Sequence, residues 1–196
     1  MVGPTIVTTS RDPSRRTRSL VKDIVMLAPW LVRINRGKMT LRELLDFAVN
    51  VNARTLAIVC EKKANPSIIR LYDLEAEVQE DSVMHAYTIF FKGVALSRER
   101  SRKLTSRLKV SKAEVVLNSE PASENERNAV AALIKMFNAR LWNGTWKSRT
   151  LYIMTRQHKD TLVVSFALWR GSNSIEVGPI LKVAGVKRVE RYVRLF

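Results

Sequence analysis

The residues with the most evident chemistry lie in "TTSRDPSRRTRSLVKD", Thr8 to Asp23, where Arg11, Arg15, Arg16, Arg18 and Lys22 crowd around the expected start of a helix. The first turn of a helix carries a partial positive charge from unpaired amides, so acids belong there and bases cost stability. A local rule broken this openly points to function. A guanidinium fork matches phosphate oxygens in two places, and a helix N-terminus offers free N–H groups to the same anion. One expected chemistry is therefore phosphate binding, which removes the repulsion and takes up the amides; the competing reading is a solvated basic face that binds nothing. Arg33, Arg36 and Lys38 form a second basic cluster around a turn. If the strands on either side are neighbours, Arg11 and Arg36 meet. A third run, "SRERSRKLTSRLKVSK", supplies Arg100, Arg102, Lys103 and Arg107 as a further contact.

Other constellations are weaker. The chain has no glycine-rich phosphate loop, no nucleophile elbow and no zincin helix. His85 and His158 stand far apart, without a cysteine or carboxylate cluster nearby, so no metal or other cofactor is expected. The acids Asp73, Glu75, Glu77, Glu80 and Asp81 read as a solvated linker or as an internal partner for the basic face. Cys60 is the only cysteine, which excludes an internal disulfide, and its apolar surroundings make it a small buried hydrophobe. Trp30, Trp142, Trp146 and Trp169 could stack on bases, but half-buried packing is the expectation for tryptophans scattered in this way. Nothing in the chain argues for catalysis, and a non-enzyme is expected. Two alternatives stay open: an RNA-processing or RNA-modifying enzyme, and a protein-interaction module whose basic surface is incidental.

The elements that position these residues can be read from period and punctuation. Thr5 to Thr9 reads as a buried strand, and Asp12-Pro13 as a helix start. Val21, Ile24, Val25 and Ala28 form an apolar stripe opposite Arg15, Arg18 and Lys22, and Pro29 ends the helix. A strand at 31–34 follows, and Thr40 with Glu43 makes a capping box for a helix that buries Leu41, Leu44, Leu45 and Ala48. Strands are expected at 55–60 and 68–72 with a turn at Asn65-Pro66, then one long strand or hairpin over 84–96 and an exposed basic loop. A strand at 113–117, a helix capped by Ser123 and Glu126 with Val130, Leu133, Ile134 and Phe137 inward, and strands at 150–155, 161–168 and 174–183 complete the order. This is an α/β chain. The stretches after Thr55 and Thr161 share a layout of strand, polar turn and strand, which suggests two similar halves.

The 196 residues carry 34 Lys and Arg against 18 Asp and Glu, a net charge of +16, with an apolar fraction of 46%. The charge is segregated: +6 over residues 1–40, +7 over 92–112 and −5 over 73–81. A polarised basic face attracts polyanions, nucleic acid first and an anionic membrane surface second. No apolar run approaches the roughly 18 residues that span a bilayer, so an intracellular protein with no membrane partner is expected.

The run from Thr9 to Gly37 resembles the Brix family of ribosome-assembly factors, the small-subunit processome branch in particular. That family's basic motif reads T-S-R-x-P-S-x-R, then Lys, Pro and R-x-N-R-G, and it is met here by Thr9, Ser10, Arg11, Pro13, Ser14, Arg16, Lys22, Pro29, Arg33, Asn35, Arg36 and Gly37. "AEVVLNSEPASENERNAVAALIKMF", "DTLVVSFALWR" and "IEVGPILKV" are similar to later family segments, with Ile180 where the E-x-G-P-R signature has Arg and Ala28 where an aromatic usually precedes Pro29. The resemblance implies an α/β fold of two similar halves, each a mixed β-sheet flanked by helices like the anticodon-binding domain of class IIa aminoacyl-tRNA synthetases. It implies a single domain over 1–196, with halves at 1–78 and 79–196, in a compact archaeal-type member. It implies a monomer that binds ribosomal RNA or its precursor, with ribosomal proteins or other assembly factors as partners, in the cytoplasm or in the nucleolus of a eukaryote. It also adds Ser10, Ser14 and Asn35 to the basic residues as RNA contacts.

Overall fold

The structure, a computed structural model, describes residues 3–75, 82–100 and 104–195. The chain runs β1 (Thr5–Thr9), α1 (Arg15–Val25), β2 (Leu31–Arg33), α2 (Leu41–Asn50), β3 (Thr55–Lys62), β4 (Asn65–Asp73) and β5 (Ser82–Ala95). A 3-10 turn at Ser97–Arg100 leads to β6 (Lys112–Leu117), α3 (Glu124–Phe137), β7 (Ala139–Leu141), β8 (Thr150–His158), β9 (Thr161–Arg170) and β10 (Asn173–Arg194). All ten strands join one sheet in the order β2-β1-β3-β4-β5-β10-β9-β8-β6-β7. β1 lies parallel to β2 and β3, and β3 to β5 run antiparallel. β6 likewise lies parallel to β7 and β8, with β8 to β10 antiparallel. The sheet thus repeats one five-strand order about the central pair of β5 and β10.

The helices divide between the two faces. The α1 stripe of Leu20, Val21, Ile24 and Val25 and the α3 residues Ala129, Leu133, Met136 and Phe137 share one apolar core with Val7, Val59, Ile89, Val115 and Phe166. On the opposite face α2 buries Leu44, Leu45 and Ala48 against Ile6, Leu56, Ile58 and Tyr72. The position that would match α2 in the second five-strand series carries a tryptophan cluster. There Trp142, Trp146 and Trp169 cover Val116 and Ala167. Trp146 stacks on Trp169 at 4.9 Å between ring centroids and meets Tyr152 edge-on at 4.5 Å. These three rings are half-buried against one another, the packing expected of them.

Several expected boundaries move. Asp12 adopts a left-handed backbone, φ 49°, so α1 opens at Arg15 and Ser14 is its cap, accepting from Thr17 N at 3.2 Å. The first hairpin turns at Lys63-Ala64, both with positive φ, and not at Asn65-Pro66, which begins β4. A two-residue hairpin needs positive φ at both central positions, and here non-glycine residues supply it. The Thr40–Glu43 capping box forms in both directions, at 2.7 and 3.2 Å. The Ser123–Glu126 box forms in one direction only, because the Glu126 carboxylate accepts from Ala122 N, one residue before the cap. In α3, Val130 and Ile134 pack only partly into the core, while Leu133 and Phe137 are buried. β7 arises where no strand was expected. β10 continues eleven residues past the expected end, because β5 pairs with it as far as Arg194.

Candidate nucleic-acid interface

The N-terminal end of α1 is built from two segments distant in sequence. The Glu61 carboxylate, at the end of β3, accepts hydrogen bonds from Ser14 N at 2.9 Å, from Ser14 Oγ at 2.7 Å and from Thr17 Oγ1. Burial raises the Glu61 pKa, but these hydrogen bonds and the Arg18 charge outweigh it and hold the carboxyl below its usual range. The anion that the helix end requires is therefore an internal glutamate. Ser14 is a cap that also donates to Ala64 O at 3.0 Å, so its side chain is engaged within the chain.

Arg16 is also engaged within the chain. Its guanidinium forks onto Glu99, with Nη2 to Oε2 at 3.1 Å, and Nη2 donates to Val94 O at 2.9 Å. Nearby, Asp23 accepts from Ser97 N at 2.8 Å, and Leu108 N donates to Met26 O at 2.8 Å. The segment after β5 is thus fastened along α1. Arg100 bonds the Glu176 carboxylate and Gly178 O, so it ties the 3-10 turn to β10. A side chain only 16% exposed has little surface for a polyanion.

The remaining positions form an open basic belt. Arg15, Arg18 and Lys22 are exposed on the outer side of α1, away from its buried stripe. Arg11 is exposed at the end of β1, and the Ser10 amide donates to Val59 O at 2.8 Å. β1 and β2 are neighbours, as the proximity of Arg11 and Arg36 requires. Arg36 donates from Nε to Met39 O at 3.0 Å, and burial first, then the charge of Arg11, lowers its pKa. Arg33 is exposed and bonds the exposed Asn35 Oδ1 at 3.0 Å, while Lys38 and Arg107 are exposed. Arg102 and Lys103, with the acids Glu77, Glu80 and Asp81, lie outside the described residues. Among the described residues, none of Arg11, Arg15, Arg18, Lys22, Arg33, Arg36 and Lys38 enters an ion pair.

No three His, Cys, Asp or Glu side chains gather as a metal site among the described residues. Burial raises the Cys60 thiol pKa, so at neutral pH it is a half-buried neutral thiol. Among the described residues, no helix is long and apolar enough to cross a membrane.

The chain superposes on the crystal structure of a probable ribosomal biogenesis protein from Aeropyrum pernix with a TM-score of 0.73 at 28% identity, covering 92% of this chain and 95% of that one. A probable Brix domain-containing ribosomal biogenesis protein of the same organism is 40% identical over 100 residues, 51% of this chain and 54% of its own length. This chain is similar to archaeal Brix domain-containing ribosomal biogenesis proteins. The matched stretches span about half the length or less of the curated relatives. The chain also aligns at 35% identity over 66 residues with a U3 small nucleolar ribonucleoprotein protein of Eremothecium gossypii, covering 34% of this chain and 23% of that protein. An archaeal Imp4-like protein shares the fold, at a TM-score of 0.61 and 22% identity over 94% of this chain and 99% of that one. No family model matches.

Two features of the chain were not read from sequence. Glu61 lies 47 residues from its cap partner, beyond any local signal. Arg70, Lys187 and Arg191 are brought to one sheet face by strand pairing; the only hint was the alternation of basic and apolar residues after Gly185.

Proposed function

We propose that this chain is a non-enzymatic RNA-binding protein of ribosome biogenesis that holds ribosomal RNA or its precursor by the phosphates. The observation that carries the reading is the belt of Arg11, Arg15, Arg18, Lys22, Arg33 and Lys38, exposed and outside any ion pair among the described residues. Backbone contacts fix position without reading sequence, so selectivity comes from RNA shape and unpaired bases. The relatives' names, ribosomal biogenesis proteins and a small nucleolar ribonucleoprotein protein, agree with this reading. We further propose that residues 1–196 act as one monomeric domain with halves at 1–78 and 79–196, each like an anticodon-binding domain. Its partners are other assembly factors or ribosomal proteins, and its site of action is the cytoplasm, or the nucleolus in a eukaryotic cell.

Arg15→Ala, Arg18→Ala and Lys22→Ala leave every described hydrogen bond and ion pair of α1 in place and remove only the Arg18 charge that acts on Glu61. In a titration of precursor ribosomal RNA against salt, log affinity falls linearly with log salt, and the triple variant lowers the slope by roughly one for each phosphate it no longer holds. An unchanged slope and affinity would remove α1 from the interface.

A further inference from the structure

At the β6–β7 edge of the sheet, a cleft of about 560 Å³ runs from Trp30, just before β2, to Lys147 in the loop before β8. This volume lies within the usual range of small-molecule pockets. Strand pairing sets Glu114 of β6 between Arg140 on β7 and Tyr152 on β8, and Glu114 is the one acid in the lining. Its side chain is only 9% exposed, and Lys112 Nζ stands 3.2 Å from Oε1. Oε2 is buried and has no hydrogen-bond donor among the described residues. The Tyr152 hydroxyl is engaged elsewhere, donating to Lys147 O at 3.2 Å. An acceptor buried without a donor destabilises a fold, so each one in a native chain calls for an explanation.

The rest of the lining defines the donor that Glu114 lacks. Arg140 and Lys147 are exposed and enter no ion pair among the described residues. Asn138 Oδ1 accepts from Arg54, and Asn143 Oδ1 accepts from Thr145 N at 3.3 Å, so each amide keeps its Nδ2 donor for a further partner. Trp30 and the exposed Leu141 add apolar surface. Cations and amide donors thus surround a single carboxylate. The complement is an anion rich in acceptors, with one N–H edge and a flat apolar body. Inorganic phosphate meets the cations but sets its own charge against Glu114. A polyamine answers Glu114 but is repelled by Lys112, Arg140 and Lys147.

We propose that this cleft binds a free guanine nucleotide. The N–H groups of the guanine edge donate to the Glu114 carboxylate, O6 and N7 accept from the amides, and the phosphates lie on Arg140 and Lys147. Lys112, whose side chain is 41% exposed, swings from Oε1 toward the phosphates as the base enters. Adenine has a single amino group beside a ring acceptor on the same edge, so it offers the carboxylate one donor and one repulsion. None of Arg11, Arg15, Arg18, Lys22, Arg33 and Lys38 lines the cleft, so the site stands whether or not that belt holds RNA.

The test is calorimetric titration of the full chain with GDP, ADP and guanosine. GDP binds, ADP binds at least about tenfold more weakly, and Glu114→Gln weakens GDP about tenfold while changing ADP less than about twofold. Arg140→Ala with Lys147→Ala weakens GDP about tenfold and guanosine less than about twofold, which separates phosphate from base contacts. A wild-type chain that binds no GDP, equal affinity for GDP and ADP, or a folded Glu114→Gln variant with wild-type GDP affinity overturns the proposal. Should Glu114→Gln not fold, the variant at the exposed Arg140 and Lys147 decides, and unchanged GDP affinity there overturns it. A short RNA ending in guanosine monophosphate that displaces GDP at lower concentration than GDP itself overturns the free nucleotide in favour of an RNA end.

Discussion

Arg16 and Glu61 show what the letters of a basic motif leave unread at the level of single residues. Sequence shows the crowd of positive charge because it is local, but it cannot show which charges are already answered from elsewhere in the chain. Glu99, 83 residues away, takes Arg16, and Glu61 takes the helix end. Arg16→Ala therefore lowers stability by about 1 kcal/mol, the value of a half-exposed forked pair plus a carbonyl contact, and leaves the RNA salt slope unchanged; thermal melts and the salt titration separate the two. Glu61 gives a pH signature. Its folded pKa lies below the unfolded value of about 4.3, so its contribution is fully present above that value and is lost as pH falls through the folded pKa. Glu61→Gln lowers stability by roughly 1 kcal/mol at neutral pH, and acidification toward pH ~3 then costs the variant less than the wild type. Equal acid sensitivity in the two proteins would place the titrating group elsewhere.

Among the elements, those with local signals were legible and those fixed by remote partners were not. α2 announces itself through Thr40, Glu43 and its leucines, and it forms with both cap hydrogen bonds. The end of β10 carries five Lys, Arg and Glu residues from Lys187 to Arg194, and only pairing with β5 makes that polar run a strand. The Glu176-Val177-Gly178-Pro179 signature lies where the β9–β10 register breaks. Gly178 has φ +69°, and a Cβ there would sit 2.6 Å from Leu27 Cδ2, just beyond α1. Its carbonyl also faces Arg100 Nη1 at 3.4 Å. The signature is thus a bulge that lets β10 approach the α1 end closely, a structural use that the letters alone do not disclose. Gly178→Ala combines backbone strain with a collision against a buried side chain and lowers stability by about 2 kcal/mol. In the double variant with Leu27→Ala the loss is smaller than the sum of the single losses, as contacting residues require, and denaturant midpoints measure the difference.

At the scale of the whole molecule, the repeated strand order gives two half-sheets with many contacts across them. α1 and α3 share a single core cluster, Trp30 Nε1 donates to Phe137 O at 2.8 Å, Lys135 pairs with Asp73, and Arg54 bonds both Asn138 and Glu75. A layout shared by two halves was suggested by two stretches of sequence; the seam between them was not legible, because it depends on mid-chain β5 pairing with β10, some eighty residues further on. Three of the four tryptophans, Trp142, Trp146 and Trp169, lie together in the second series and report on it, while far-UV circular dichroism reports on both series. If the shared core makes a single cooperative unit, fluorescence and dichroism melts superimpose, and Lys135→Ala moves both to lower temperature by the same amount without separating them. Asp73, only 9% exposed, would be left without its cation, so the shift should correspond to about 2 kcal/mol. Two transitions in the wild type, or a Lys135→Ala shift confined to the fluorescence signal, would mean that the halves fold independently.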